Sequence, residues 1–351
     1  MIKINNLFSI EKFLNKDFFL PNSVAVMENG DVLICDGGND RICLFNSNAE
    51  PIKEIGKKGW GRYRFKEPVG AFVSPNNSIF VMDWHNHRVV VFDSNLIFQN
   101  EFGHYSNFDN SNDNSFLNLL LEEIKNFFKI LKNIPKNGVY INFHFKENTN
   151  ISNKYLSFFQ VLISYTGFIF SFFNKCINKS FLGMGFNKPN GIAFANQKIV
   201  ITQKKNNCIS VHSSDFPYNK IFSIKKVNNN SNLGNLGNII FKKKYYVCDE
   251  SEGLIWILDS EFTYVDKIDA TSIDVDNFAP FSCTFLNDNL IAIVSCFKFF
   301  IYDMKKKQNI YESFELGELH GIDFDCKNSR LYVCNRSKCK IHVFDVELLY
   351  N

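Results

Sequence analysis

The densest group of side chains able to do chemistry is Trp84-His85-Asn86-His87, two imidazoles set among an indole and an amide. A metal site needs three or more converging donors, and alternate side chains of an extended loop point apart. The cluster therefore reads as loop packing. His320 is a different case. It stands where a strand begins, and Asp323 and Asp325 follow on the same strand, so an imidazole and a carboxylate could face one central channel. A catalytic metal shell would need further donors at the matching strand positions, which are Ala25, Phe72, Ala193, Ile240 and Thr284, mostly apolar. The chain contains no GxSxG elbow and no GxxxxGK[ST] phosphate loop. The Gly183-Met184-Gly185 run reads as a connector. The sequence thus assigns no catalytic residue, no metal ligand and no cofactor.

A second set is chemically mixed and suits binding. Asn22, Arg41, Trp60, Arg62, Tyr63, Trp84, His85, His87, Arg88, Asn190, Lys204, Lys205 and His320 all fall in segments that open on one face of the fold argued below. Guanidinium, ammonium and aromatic groups on one surface could hold phosphates and stack on bases, as single-stranded RNA requires. The alternative for Arg41 and Arg88 is structural: Asp36 and Asp83 each stand five residues before them, placed for ion pairing.

The elements that position these residues come from repetition. Phe19-Leu20-Pro21-Asn22-Ser23-Val24-Ala25-Val26 leads to Val32-Leu33-Ile34-Cys35-Asp36 and then Asn39-Asp40-Arg41-Ile42-Cys43-Leu44-Phe45. The pattern returns as Phe65 to Phe72, Ile79 to Asp83 and Asn86 to Asp93. Pro21 and Pro68, Asp36 and Asp83, and Arg41 and Arg88 are each 47 residues apart. Looser copies begin at Phe186, Leu236, Pro280 and His320. Every copy holds three or four short β-branched or aromatic runs separated by Gly, Asn and Asp turns, which is the pattern of antiparallel strands. Six small sheets arranged radially bury their faces against one another.

Phe65…Pro68-Val69-Gly70, Val81-Met82-Asp83, Asn86-His87-Arg88-Val89-Val90-Val91-Phe92 and the connector Gly56 to Phe65 resemble NHL repeats. The resemblance is specific in the first two copies and thins afterwards; the Arg41/Arg88 position becomes Cys208, Leu254, no clear counterpart, and Lys340. It implies a six-bladed β-propeller, the number that spacing gives independently. Related propeller enzymes hold calcium or zinc in the channel, and some NHL propellers bind single-stranded RNA.

The last copy ends before a fourth strand. Leu7-Phe8-Ser9-Ile10-Glu11-Lys12 reads like Ile221-Phe222-Ser223-Ile224-Lys225-Lys226, so residues 7–13 are expected to pair with the final blade and cover its edge. Between blades 2 and 3 the repeat is interrupted. Leu117, Leu120, Leu121, Ile124, Phe127, Phe128 and Leu131 recur at helical spacing. Tyr155 to Asn174 carries no charge, yet a single crossing would put two blades of one ring on opposite sides of a bilayer, so no transmembrane span is expected.

The 351 residues carry 39 basic and 36 acidic side chains, a net charge of +3 that by itself indicates neither nucleic acid nor membrane. Ten cysteines include no CxxC pair, and the start shows no signal-peptide pattern, which fits reduced thiols in the cytoplasm. The expectation is an all-β, six-bladed propeller closed by an N-terminal strand. Residues 1–103 would hold that strand and blades 1–2, residues 104–180 an α-helical insertion, and residues 181–351 blades 3–6. Its expected function is that of a non-catalytic scaffold binding a protein partner, through the propeller face or through residues 108–180. A metal-dependent hydrolase or lyase, an RNA binder and a peripheral membrane contact through the insertion are the alternatives.

Overall fold

A computed structural model describes residues 2–103, 139–140, 155–156, 185–228 and 231–348. The chain divides into two compact units, residues 1–105 with 184–351, and residues 106–183. The first unit contains six four-stranded antiparallel sheets. Blade 1 is Pro21–Val26, Val32–Asp36, Arg41–Phe45 and Pro51–Ile55, counted from the innermost strand outward, and blade 2 is Pro68–Val73, Ile79–Asp83, Arg88–Phe92 and Phe98–Phe102. Blade 3 is Pro189–Ala195, Lys198–Gln203, Cys208–Ser213 and Lys220–Ile224. Blade 4 is Leu236–Lys242, Lys244–Asp249, Leu254–Leu258 and Tyr264–Asp269. Blade 5 is Pro280–Phe285, Leu290–Ser295, Lys298–Asp303 and Gln308–Glu312. Blade 6 has Leu319–Asp325, Arg330–Asn335 and Lys340–Leu348.

The fourth strand of blade 6 is Ile2–Ile10, antiparallel to Lys340–Leu348, with Ile2 opposite Leu348 and Ile10 opposite Ile341. The pairing lies earlier than the expected 7–13. Beyond Ile10 the chain turns away, because Leu14 adopts a left-handed φ of 52° and Lys12–Phe13 pairs with Lys16–Asp17 in a small hairpin.

The middle strands explain why the repeats read as apolar runs. Val32–Asp36 and Arg41–Phe45 are buried at every residue. Alternate side chains of a strand point to opposite faces, and both faces of each blade are covered. Val32 and Ile34 join a core with Tyr332 and Cys334 of blade 6, while Leu33 and Cys35 join one with Ile79 and Val81 of blade 2. Four further cores fill the other interfaces between successive blades.

The innermost strands approach closely at one position, which is glycine in blades 2, 3 and 6. An added Cβ at Gly191 would lie 2.7 Å from the backbone of Asn238 and Ile239, and one at Gly321 would lie 2.7 Å from Ser23 Cα. Gly70, Ser23, Ser282 and Asn238 occupy the matching positions of the other blades.

In the second unit, Val139–Tyr140 pairs with Tyr155–Leu156. Tyr155 and Leu156, which open the uncharged stretch, are thus in a strand. The expected amphipathic helix at Leu117–Leu131 and the rest of 157–174 lie outside the described residues. Among the described residues no helix is long and apolar enough to cross a membrane.

Candidate binding site at the channel mouth

In each blade the connector leading to the inner strand and the turn between the second and third strands lie at the same end of the sheet, because antiparallel strands alternate in direction. A clamp joins the two. The last residue of the second strand accepts a hydrogen bond from a backbone N–H of the connector. Asp36 Oδ1 accepts from Phe19 N at 2.8 Å, and Asp83 Oδ1 from Lys66 N at 2.8 Å. Gln203 Oε1 accepts from Asn187 N at 3.0 Å, Asp249 Oδ2 from Gly234 N at 2.8 Å, and Ser295 Oγ from Ala279 N at 2.8 Å. In blade 6 the polarity is reversed, and Asn335 Nδ2 donates to Leu316 O at 2.8 Å.

The clamp decides the status of the two arginines. Arg41 Nε donates to Asp36 at 2.7 Å and Nη1 to Glu54 at 2.8 Å, while Nη2 donates to the carbonyls of Lys16 and Asp17. Arg88 Nε donates to Asp83 at 2.8 Å, Nη1 to Glu101, and Nη2 to the carbonyls of Gly61 and Arg64. Both side chains are buried. Arg41 and Arg88 are thus held by carboxylates of their own blade and by carbonyls of the connector beside it, which is the structural role that the paired aspartates suggested.

The other expected residues are spread over the face. Asn22, Trp84, Asn190, Lys204 and His320 line an axial cavity of about 500 Å³ bordered by the inner strands of all six blades. Asn22 is buried and donates to Pro68 O at 3.4 Å, and Asn190 donates to Leu236 O at 2.9 Å. Trp60 and Tyr63 are exposed on the connector between blades 1 and 2. Arg62 lies over the Phe98 ring at 5.3 Å, away from the channel. His85 Nε2 meets Glu67 at 3.0 Å, and His87 Nδ1 accepts from Lys188 N at 3.2 Å, so the two imidazoles do not converge. Lys205 borders a separate hollow.

The cavity is polar at its rim and mostly apolar below. Glu67 and Trp84 of blade 2, Lys204 of blade 3, Glu250 of blade 4, and Glu318 and Arg336 of blade 6 form the rim. Trp84, Lys204, Glu250 and Arg336 each directly follow a second strand, and blade 1 has Gly37 there. Arg336 bridges two blades across that gap. Its Nη2 is 3.4 Å from Glu67 and its Nη1 3.3 Å from Glu318. Glu318 in turn meets His320 Nε2 at 3.2 Å, and Lys204 holds Glu250 at 2.8 Å. His320 stacks on Phe281 with centroids 4.8 Å apart. Burial, with the Arg336 cation beside it, pulls its pKa down to about 4, against the pull of Glu318. The imidazole is neutral at pH 7.

Among the described residues, two rim donors have no acceptor. Trp84 Nε1 and Arg336 Nε are buried without a hydrogen-bond partner, a cost of about 1–3 kcal/mol each that a ligand acceptor would remove. Deeper in the channel, Asp323 accepts from Val26 N at 2.8 Å and from Thr284 Oγ1 at 3.0 Å, tying blades 5, 6 and 1 together. Among the described residues, no three His, Cys, Asp or Glu side chains gather as metal ligands would. The sequence missed Glu67, Glu250, Glu318 and Arg336 because their types differ from blade to blade. Only their position, just before the inner strand or just after the second, could have marked them.

The NHL repeat family model matches residues 65–92. The chain is a six-bladed β-propeller with an NHL repeat. No curated protein matches it. Among solved structures, it is similar to streptogramin B lyase, with 12% identity, TM-score 0.53, and 99% of this chain and 98% of the other covered. It is also similar to a protein of unknown function from Bacteroides thetaiotaomicron, with 11% identity, TM-score 0.58 and coverages of 99% and 77%. A third is a catalytically inactive histidine-to-alanine variant of virginiamycin B lyase from Staphylococcus aureus with quinupristin. That pair has 12% identity, TM-score 0.56 and coverages of 99% and 100%. At such identities the shared property is the fold.

Proposed function

We propose that this propeller is a non-catalytic binding module that takes a protein partner on its connector face. The observation that carries the reading is an arc of exposed large apolar side chains: Leu14, Phe19, Trp60, Phe297 and Phe314. They stand in the connectors and second-to-third-strand turns of blades 5, 6, 1 and 2, on the face where the channel opens. Large apolar groups gathered on one face favour an interface. The rim donors of Trp84 and Arg336 lie on the same face and would donate to a partner's carbonyl or carboxylate.

The test is differential capture. Partners crosslinked to the wild-type chain should be lost from Trp60→Asp and Phe314→Asp and retained by Ile221→Asp, which alters an exposed outer strand of blade 3. Equal capture by all three variants would overturn the reading.

A lyase reading has one specific observation in its favour. His320 is neutral, lies 3.2 Å from Glu318 at the channel mouth, and belongs to a fold shared with solved lyases. A neutral imidazole beside a carboxylate can accept a proton. Conversion of quinupristin, followed by mass spectrometry and abolished in His320→Ala, would favour this alternative over the binding module.

A further inference from the structure

Beside the channel lies a second hollow of about 500 Å³, lined by Trp84, Lys188, Lys204, Lys205, Asn207 and Asn235. Its charge is one-sided. The Lys204 ammonium is held by both Glu250 oxygens, at 2.8 and 2.9 Å. Lys188 and Lys205 have no such carboxylate among the described residues. Lys188 Nζ instead lies 3.8 Å from the centroid of the Trp84 ring. Burial and the neighbouring Lys205 and Lys204 cations pull the Lys188 pKa below the usual lysine value, with Glu67 alone opposing them. Glu67 is itself engaged by His85 and Arg336. The Trp84 Nε1 donor is buried without an acceptor.

Lys188 and Lys205, neither held by a carboxylate at ion-pair distance among the described residues, border one hollow, and what would match both is a group with two negative charges. We propose that the Lys188–Lys205 hollow binds a phosphate monoester. Such a group carries about −1.5 to −2 charge at neutral pH and three acceptor oxygens. It can face both ammoniums at once. A carboxylate or a phosphodiester brings a single negative charge and leaves one cation unmatched. Lys188 is already fixed over Trp84 by a cation–π contact, so little side-chain entropy remains to be lost on binding. The monoester comes either from a phosphorylated side chain of a protein partner or from a free small molecule. The site is separate from the apolar arc and does not depend on it.

The experiment is a calorimetric titration of the full chain with phenyl phosphate, benzoate and dimethyl phosphate at low and moderate salt. Phenyl phosphate should bind about tenfold or more tighter than either monoanion, and more weakly as salt rises. Lys188→Gln and Lys205→Gln should each lose about tenfold. Lys205 is exposed, so its variant folds irrespective of Lys188. Lys226→Gln, on an exposed residue of another strand, should change nothing. Equal binding of the three anions, or phenyl phosphate affinity unchanged in the Lys188→Gln, Lys205→Gln double variant, would overturn the proposal.

A phosphoserine pentapeptide binding well above free phosphoserine points to a protein source; equal affinities point to a small molecule. Both support the site. Trp60→Asp and Phe314→Asp should leave the titration unaltered, so loss of partner capture in those variants bears on the interface alone.

Discussion

Blades 1 and 2 and blades 3 to 6 solve one mechanical problem with different chemistry. In the first pair the connector is clamped by a buried Asp that also holds an Arg. Blade 3 uses Gln203, which takes a backbone N–H from Asn187 and donates to Ser210 Oγ at 3.0 Å. Blade 5 uses only the hydroxyl of Ser295. A buried ion pair gains Coulomb energy but loses hydration, so replacing both partners by neutral groups costs little, whereas removing one strands the other. Burial raises the Asp83 carboxyl above its ordinary pKa despite the adjacent Arg88, as expected where desolvation outweighs attraction. The geometry of the clamp is thus what the fold needs, and the charge is one way of supplying it.

The sharpest way to break this comparison is to remove half of a pair. Arg88→Leu should cost about 3–5 kcal/mol in a denaturant melt, because Asp83 is left buried without its counter-charge. The Asp83→Gln, Arg88→Cys double variant, which installs the residues of blade 3 at these positions, should lose less than half as much. A double variant as damaged as the single would show that blades 1 and 2 need the charge itself. Gln203→Leu leaves the Asn187 N–H without its acceptor and should cost about 1–3 kcal/mol.

Acid provides the next test. His212 of blade 3 and His342 of blade 6 are buried, and burial lowers each pKa to about 4. Unfolded histidine titrates near pH 6.5. Between pH 6.5 and 4 the unfolded chain therefore binds protons that the native chain does not, and stability falls as pH falls through that window. The Tm should drop by on the order of 5 °C from pH 7 to pH 5. His212→Gln with His342→Gln should reduce that slope and leave the share of His320, whose pKa is also lowered to about 4, whereas blades 1 and 2 have no histidine in their third strands to contribute. The smallest effect is expected from Ser295→Ala, about 1 kcal/mol for one neutral hydrogen bond.

The architecture was legible because each middle strand feeds two cores and so reads as an unbroken apolar run, and because Pro21/Pro68 and Asp36/Asp83 keep one spacing. The fifth Arg41 counterpart escaped detection. It is Lys298, which faces Ser295 across the turn as Arg41 faces Asp36. The binding face was half legible. Residue type pointed to Trp84, Lys204 and His320, but also to Arg41 and Arg88, since composition does not distinguish a guanidinium satisfied inside a blade from one aimed outward. The rim acids and Arg336 gave no repeating signal, because the residue type at their positions changes from blade to blade.

The strand that completes blade 6 also sets a schedule. Lys3 and its partner Glu347 are 344 positions apart, so on the ribosome Ile2–Ile10 emerges long before the strand it must join. At about 5–20 residues per second the interval is tens of seconds. Throughout it Leu7 and Phe8 belong to an unpaired strand beside a growing row of blades. Newly made chains should accordingly be prone to capture by chaperones, or by one another, until Lys340–Leu348 emerges and pairs with Ile2–Ile10.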